Sequence, residues 1–253
     1  MVNGAKIRVQ DLSVSMDGKP VLKHLTIDVL SNERLAIIGP AATGKTTFLR
    51  TLNRLNDNNP GFKHTGQVYL EDKEIYSPDV NVADLRRRIG MVYAVPIPLP
   101  WSIYDNLAYG MKLAGIHDKE RLDERIESAL KSVVLWDEVK DRLKEHAHCL
   151  SGGQQQRMCI ARVLVLEPEV LILDEPCSGL DPISTGKIED SLGELKSKIS
   201  IVLVTNNTKQ AARSSDRTAF FLYGELIELG PTPELFTRPN DKRTNDYLIG
   251  QFG

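Results

Sequence analysis

The chain has 253 residues, 26% of them charged and 41% in the apolar set AVILMFWYC, the balance of a globular protein and not of a disordered one. At about 150 residues per domain this length allows one large domain or two small ones. Against 34 acidic residues stand 32 basic ones, a net charge of −2, which excludes a nucleic-acid coat and a polybasic membrane anchor as the main role.

In chain order, residues 7–14 and 21–29 alternate apolar and polar around the turn Asp17-Gly18-Lys19-Pro20, the pattern of a β-hairpin. Residues 34–38 form a short apolar strand that runs into a glycine-bounded turn, and residues 45–55 then place Phe48, Leu49, Leu52 and Leu55 at helical spacing. Residues 57–66 (DNNPGFKHTG) read as a loop, followed by strands at 67–70 and 88–93. Residues 106–165 are rich in helix formers, with Leu122, Ile126, Leu130 and Val133 on one face. Residues 170–173 and 199–204 read as buried strands with a helix at 184–198 between them, and 218–223 with 226–229 as a late hairpin.

Three cysteines, Cys149, Cys159 and Cys177, make no disulfide scaffold and no metal-ligand spacing with the five histidines, so a reducing cytoplasm is the simplest compartment. Residues 1–10 lack the apolar segment of a signal peptide, and no apolar run approaches the ~18 residues needed to span a bilayer.

The segment Gly39-Pro40-Ala41-Ala42-Thr43-Gly44-Lys45-Thr46, followed by Thr47, matches GxxxxGK[ST] between a strand and a helix. There, backbone N–H groups of the loop and of the helix start converge on phosphate oxygens. Lys45 supplies charge to the β- and γ-phosphates, and the Thr46 hydroxyl is offered to Mg²⁺. Ala42 stands where many such loops carry glycine. The buried strand Val170-Leu171-Ile172-Leu173 ends in Asp174-Glu175, at the edge where α/β sheets place ligands. Asp174 is expected to hold Mg²⁺ through water, and Glu175 to act as general base on the attacking water.

Two further segments carry a family resemblance. Leu150-Ser151-Gly152-Gly153-Gln154, followed by Gln-Gln-Arg157, resembles the signature motif of ATP-binding-cassette ATPases, and Ser178-Gly179-Leu180-Asp181 resembles their D-loop. The resemblance implies an α/β fold: a RecA-like P-loop core with an antiparallel β edge and an inserted helical subdomain. One domain would fill residues 1–253, its core from 1–95 and 163–253 and the helical subdomain from 96–162. It also implies a dimer in which Ser151, Gly152, Gly153, Gln154 and Asp181 close on ATP held by the other subunit. Residues 102–110 (SIYDNLAYG), 150–162, 175–188 (EPCSGLDPISTGKI) and the tail 241–253 (DKRTNDYLIGQFG) are similar to the ATP-binding subunit of bacterial phosphate-specific importers. That likeness implies ATP and Mg²⁺ as cofactors and pairing with itself or a second cassette subunit. It implies two transmembrane permease subunits, a periplasmic phosphate-binding protein acting indirectly, and a peripheral place on the cytoplasmic face of the bacterial inner membrane. No nucleic acid is expected as a partner.

The sequence departs from the family at three positions. Ala94 replaces the glutamine that touches Mg²⁺ and the attacking water, with no other glutamine nearby in the chain. Asn206 replaces the histidine that contacts the γ-phosphate; it still donates a hydrogen bond but has no titratable ring. The aromatic that stacks on adenine falls near Ser15 or Met16, and Met16 is the residue left to pack on the base. Loss of one donor at a developing transition-state charge is typically worth about 10²–10³ in rate. Three readings follow. The chain is a working phosphate-import ATPase; or it binds ATP, turns over little and completes the site of a fully equipped partner; or it is a nucleotide-dependent regulator without transport. Among the remaining residues, Arg86, Arg87 and Arg88 read as a solvated face, His146 and His148 as pointing apart on a helix, and Cys177 as a packing residue. Trp101 and Tyr104 either pack on the helical insertion or line the groove that accepts a permease helix.

Overall fold

The computed structural model describes residues 4–251; residues 1–3, and residues 252–253 that end the tail quoted above, lie outside the described residues. The chain opens with a twisted antiparallel pair, β1 (Ala5–Met16) and β2 (Lys19–Leu30), and continues into β3 (Arg34–Ile38) and α1 (Lys45–Leu52). Then come β4 (Phe62–Leu70), β5 (Lys73–Glu74), α2 (Val82–Arg88) and β6 (Ile89–Val92). A helical stretch follows: α3 (Ile103–Leu113), α4 (Lys119–Ser132), α5 (Trp136–Val139) and α6 (Gly152–Leu164). The last part holds β7 (Val170–Asp174), α7 (Pro182–Leu195), β8 (Ser200–Val204), α8 (Thr208–Ser214), β9 (Arg217–Leu222), β10 (Glu225–Pro231), α9 (Thr232–Thr237) and α10 (Lys242–Leu248).

Two sheets result. The first has the order β2-β1-β4-β5 and is antiparallel; the second has the order β10-β9-β3-β8-β7-β6 and is parallel except for β10. The central strands of the second sheet are apolar on both faces, as strands buried between two layers must be. Their side chains divide with a period of two. Leu35, Ile37, Val170, Ile172, Val202 and Val204 face the antiparallel sheet and Phe48, Leu49 and Leu52 of α1. Leu171, Leu173, Ile201 and Leu203 face the helices, in one core with Leu107, Leu130, Met158 and Ile160. A smaller third core joins Ala36, Ile38, Phe220 and Leu222 to Ala211, Leu235, Tyr247 and Leu248. Among the described residues no helix is long and apolar enough to cross a membrane.

The hairpin, the 34–38 strand and the late hairpin form where the pattern places them. Three expectations are corrected. Residues 57–66 are not all loop, because β4 begins at Phe62 and pairs Phe62 with Met16 and His64 with Val14. Gly66, at φ +82°, sits at the irregularity opposite Asp11, so the glycine marks a bulge within the strand. The three arginines do not form a merely solvated face. Arg86 donates to the carbonyls of Asn53 and Arg54, and Arg88 pairs with Glu169 and Glu71. His146 and His148 do not point apart, since a 3₁₀ turn at Ala147–Cys149 stacks their rings 5.1 Å centroid to centroid.

Candidate active site

Strands β3, β8 and β7 lie side by side and parallel, so their C-terminal ends open onto one place. The loop after β3 is residues 39–44. Gly39 takes φ +149°, and a Cβ there would stand 2.1 Å from the Phe221 carbonyl oxygen, so only glycine passes this point. Gly44 takes φ +92° directly before α1, and a side chain there would meet Leu22 at 2.5 Å. Ala42 holds φ +61°, the left-handed region that costs a non-glycine residue roughly 1–2 kcal/mol. The Thr43 hydroxyl donates to the Pro40 carbonyl at 3.0 Å and fastens the turn.

The Lys45 ammonium is buried and donates to the carbonyls of Gly39 and Pro40, each at 2.7 Å. Burial lowers its pKa, while the charges of Glu175 and Asp174 act the other way. The Thr46 hydroxyl donates to Asp174 Oδ1 at 3.1 Å. The hydroxyl and the carboxylate are hard oxygen donors of the kind that Mg²⁺ takes, directly or through a water. Among the described residues no cluster of three or more His, Cys, Asp or Glu could hold a metal.

Glu175 follows β7 at φ +48°, and its N–H donates to the Val204 carbonyl at 2.8 Å. The Asn206 amide donates to Glu175 Oε1. Behind Asn206, the Thr205 hydroxyl donates to Gln210 Oε1 at 2.7 Å and accepts from the Asn207 N–H at 3.0 Å, so a buried polar knot holds this loop. The Cys177 thiol lies half-buried beside it and is pushed up to about 11, chiefly by burial, in keeping with a packing role. Ala94 follows β6 with a methyl group only. Gln156 reaches this region from α6, but its amide donates to the Tyr93 carbonyl at 2.9 Å inside the fold.

The structure thus gathers Gly39, Pro40, Lys45, Thr46, Asp174, Glu175 and Asn206. It places Ser151, Gly152, Gly153, Gln154 and Asp181 in a second group. Ser151 caps α6 in a reciprocal box: its Oγ accepts from the Gln154 N–H at 3.4 Å, and Gln154 Oε1 accepts from the Ser151 N–H at 3.0 Å. A Cβ on Gly153 would stand 2.2 Å from Ser184 Oγ, so this glycine lets α6 seat against α7. Asp181 caps α7 through the N–H groups of Ile183 and Ser184 and the Ser184 hydroxyl, bonds that hold its carboxyl below the ordinary range. Met16 ends β1 opposite Phe62, and its sulfur accepts from the Asn59 amide at 3.6 Å. Ala41 is exposed on the loop, and the Thr47 carbonyl accepts from Thr51 and Asn56.

Residues 22–178 match the family model described as ABC transporter. The chain belongs to the ABC transporter family. This ABC ATPase is 50% identical over 253 residues, the whole of both chains, to phosphate import ATP-binding protein PstB 1 of Streptococcus pyogenes serotype M12. It is 51% identical over 247 residues, 98% of each chain, to the protein of that name from serotype M3. It superimposes with a TM-score of 0.82 on cbiO1 from Clostridium perfringens, part of the ABC transporter complex cbiONQ, at 27% identity over 98% of this chain and 97% of that one. A bacterial Atm1-family ABC exporter with ATP bound gives the same TM-score at 24% identity; all of this chain matches 43% of that one, a likeness of fold. The ABC fold, with its mixed sheet and antiparallel β edge, and the ATPase activity expected from the motifs thus stand.

Two residues at these sites escape the motif reading. Glu138 on α5 accepts from Gln154 at 3.0 Å, from Arg157 at 2.9 and 3.0 Å, and from Lys187 of α7 at 2.6 Å. Partial burial raises its pKa, but these bonds outweigh burial and hold it at about 2. Tyr247 of α10 stacks on Phe220 at 4.9 Å and packs into the core that holds Ile38, the residue just before the phosphate loop. No local pattern announces either residue, since each meets its partners only through the fold.

Proposed function

We propose that this ABC ATPase powers import of inorganic phosphate. The observation that carries the chemistry is the meeting of Lys45, Thr46, Asp174, Glu175 and Asn206 at the ends of three parallel strands. The choice of cargo rests on the full-length identity to two proteins named for phosphate import.

In this reading the loop N–H groups of residues 41–47 and the Lys45 ammonium bind the phosphates of ATP, and Met16 packs against the base. Thr46 would hold Mg²⁺ directly and Asp174 through a water, and the ion when bound would offset the charge developing on the β- and γ-phosphate oxygens. Glu175 accepts the proton of the attacking water through Oε2, while the Asn206 amide holds Oε1 in place. Ser151 and the N–H groups of Gly152 and Gly153, at the positive end of α6, close on the nucleotide of a second subunit with Gln154 and Asp181. The second subunit is another copy or a different cassette. Residues 96–162 act as the helical unit on the core of 1–95 and 163–253. Ile97, Trp101, Tyr109 and Leu113 are exposed there, with Trp101 edge-on to Tyr109 at 5.0 Å. They offer an apolar surface to two transmembrane permease subunits at the cytoplasmic face of the membrane. A phosphate-binding protein on the far side delivers the ion.

A second reading is favoured by Ala94: it has no polar side chain, and Gln156 is committed to Tyr93. There the chain binds ATP but turns over little, and lends its signature group to a better-equipped partner. Steady-state hydrolysis with Mg²⁺, run beside Glu175→Gln and Ala94→Gln, separates the two. Turnover in the parent, lost in Glu175→Gln, supports the self-sufficient motor. A parent as inactive as Glu175→Gln that still binds ATP refutes it and leaves the partnered reading or a nucleotide-dependent regulator, and a gain with Ala94→Gln places the defect at that residue.

A further inference from the structure

The Asn206 side chain that donates to Glu175 is exposed, and it borders an open cleft of about 580 Å³ shared with Glu175, Asn207, Gln210 and Arg213. Packing therefore does not fix it, and its place depends on the backbone on either side. Both neighbours are held. Before it, the Thr205 N–H donates to the Ile37 carbonyl at 3.2 Å, which ties the end of β8 to β3. The Thr205 hydroxyl donates to Gln210 Oε1 at 2.7 Å, and both residues are buried. After it, the Asn207 N–H donates to that same hydroxyl at 3.0 Å, and Asn207 Oδ1 accepts the Gln210 N–H at 3.1 Å at the start of α8. Gln210 thus holds the residue before Asn206 through its side chain and the residue after it through its backbone. The Glu175 backbone is fixed independently, by its N–H to the Val204 carbonyl at 2.8 Å, so the Asn206 end of their contact is the one that depends on the turn at 205–207. Removing the Gln210 oxygen leaves the Thr205 hydroxyl proton buried without a partner, and the turn loses the bond that sets it.

We propose that Gln210 is a positioning residue for the general base: by fixing the Thr205 hydroxyl it sets the turn that carries Asn206, and through Asn206 the orientation of the Glu175 carboxylate. Gln210 itself touches no reacting atom. A misplacement of about 1 Å at a reacting group costs about 10²-fold in rate, so a bond that keeps the base in place acts on kcat, while ATP affinity stays with Lys45 and the loop N–H groups. The inference rests on the reading that Glu175 takes the proton of the attacking water while Asn206 holds it.

The test is Gln210→Leu, which removes the amide, beside Thr205→Val, which removes the hydroxyl at the other end of the same bond, and Thr205→Ser, which keeps it. Steady-state hydrolysis and calorimetric titration with MgATP are run on each, and on Gln210→Leu combined with Asn206→Ala. The expected result is a kcat lowered about 10- to 100-fold in Gln210→Leu and in Thr205→Val, with Thr205→Ser near the parent. The Kd for MgATP stays within about twofold throughout, since an interaction that acts only on the chemical step leaves binding alone. In the Asn206→Ala background the Gln210→Leu effect shrinks to less than about twofold, because residues that act through one another are not additive. An effect that persists in full without Asn206 would overturn the proposal and leave Gln210 a structural residue. A folded Gln210→Leu protein with the parental kcat would overturn it, as would a Kd that rises in step with the fall in kcat. Where Gln210→Leu does not fold, equal rates in Thr205→Val and the parent would overturn it in the same way. A parent no more active than Glu175→Gln would overturn the reading of Glu175 itself, which keeps the two failures apart.

Discussion

Removing the carboxylate of Glu138 tests whether the signature group is held from behind. The Arg157 side chain is 3% exposed and Glu138 28% exposed. In Glu138→Ala the guanidinium stays in place with the Val134 carbonyl but without its counter-charge. Stripping one partner from a buried ion pair costs about 3–5 kcal/mol. Because Glu138 is partly open, water reaches the vacated space, and the lower end, about 3 kcal/mol, applies. For a chain of this size 1 kcal/mol shifts the melting temperature by about 2–4 °C, so a fall of about 6–12 °C is expected by scanning calorimetry. Replacing both residues, Glu138→Leu with Arg157→Met, should recover much of it, since the pair's net worth against apolar packing is small. The pH dependence has a definite sign. The folded pKa of Glu138, about 2, lies below its ordinary 4.5. Its contribution is therefore complete above about pH 4.5 and drains away as the pH falls toward 2. The gap between parent and Glu138→Ala should narrow across that window. A variant melting within about 1 °C of the parent at neutral pH would refute the reasoning.

Two further outcomes follow from the loop and from Asn206. Gly39→Ala drives a methyl group toward the Phe221 carbonyl, and overpacking of this kind costs about 1–3 kcal/mol. A lower melting temperature with ATP affinity reduced at least about tenfold is expected, and parental melting and titration curves would contradict the packing described. Asn206→His exchanges an amide that does not titrate for an imidazole with an ordinary pKa near 6.5. The pH–rate profile of the variant should gain an inflection near that value that is lacking in the parent, and superimposable profiles would show that position 206 does not act on the rate-limiting step.

Much of the fold is legible because it rests on short-range pattern. The apolar run of β7 and the strand Arg34–Ile38 are marked by composition, and the loop at 39–46 by glycine and lysine at fixed spacing. The first half of β4 is not legible, since Asn58-Asn59-Pro60-Gly61 and Gly66 carry turn chemistry while the pairing of Phe62 with Met16 is set by the neighbouring strand. The same holds for the charged side chains. Arg86 and Arg88 find carbonyls and carboxylates distant in sequence, and no periodicity encodes Glu169 as the partner of Arg88. The motif residues of the site can be read from the chain, but their supports cannot. Glu138 lies 16 residues before Gln154 on a different helix, and Lys187 lies 49 residues after Glu138.

The resting position of Lys45 bears on how tightly nucleotide is held. Its ammonium already has two carbonyl partners in the folded chain. An arriving phosphate therefore exchanges one set of oxygens for another, and affinity reflects the difference between them rather than the full strength of a new ion pair. The carbonyls of Gly39 and Pro40 serve as a built-in competitor. They keep the buried charge solvated while the site waits, and they set a threshold that a ligand must exceed with more than a single contact. A polyphosphate that also engages the loop N–H groups crosses that threshold, whereas a lone anion meeting only the lysine gains little by displacing what is already there.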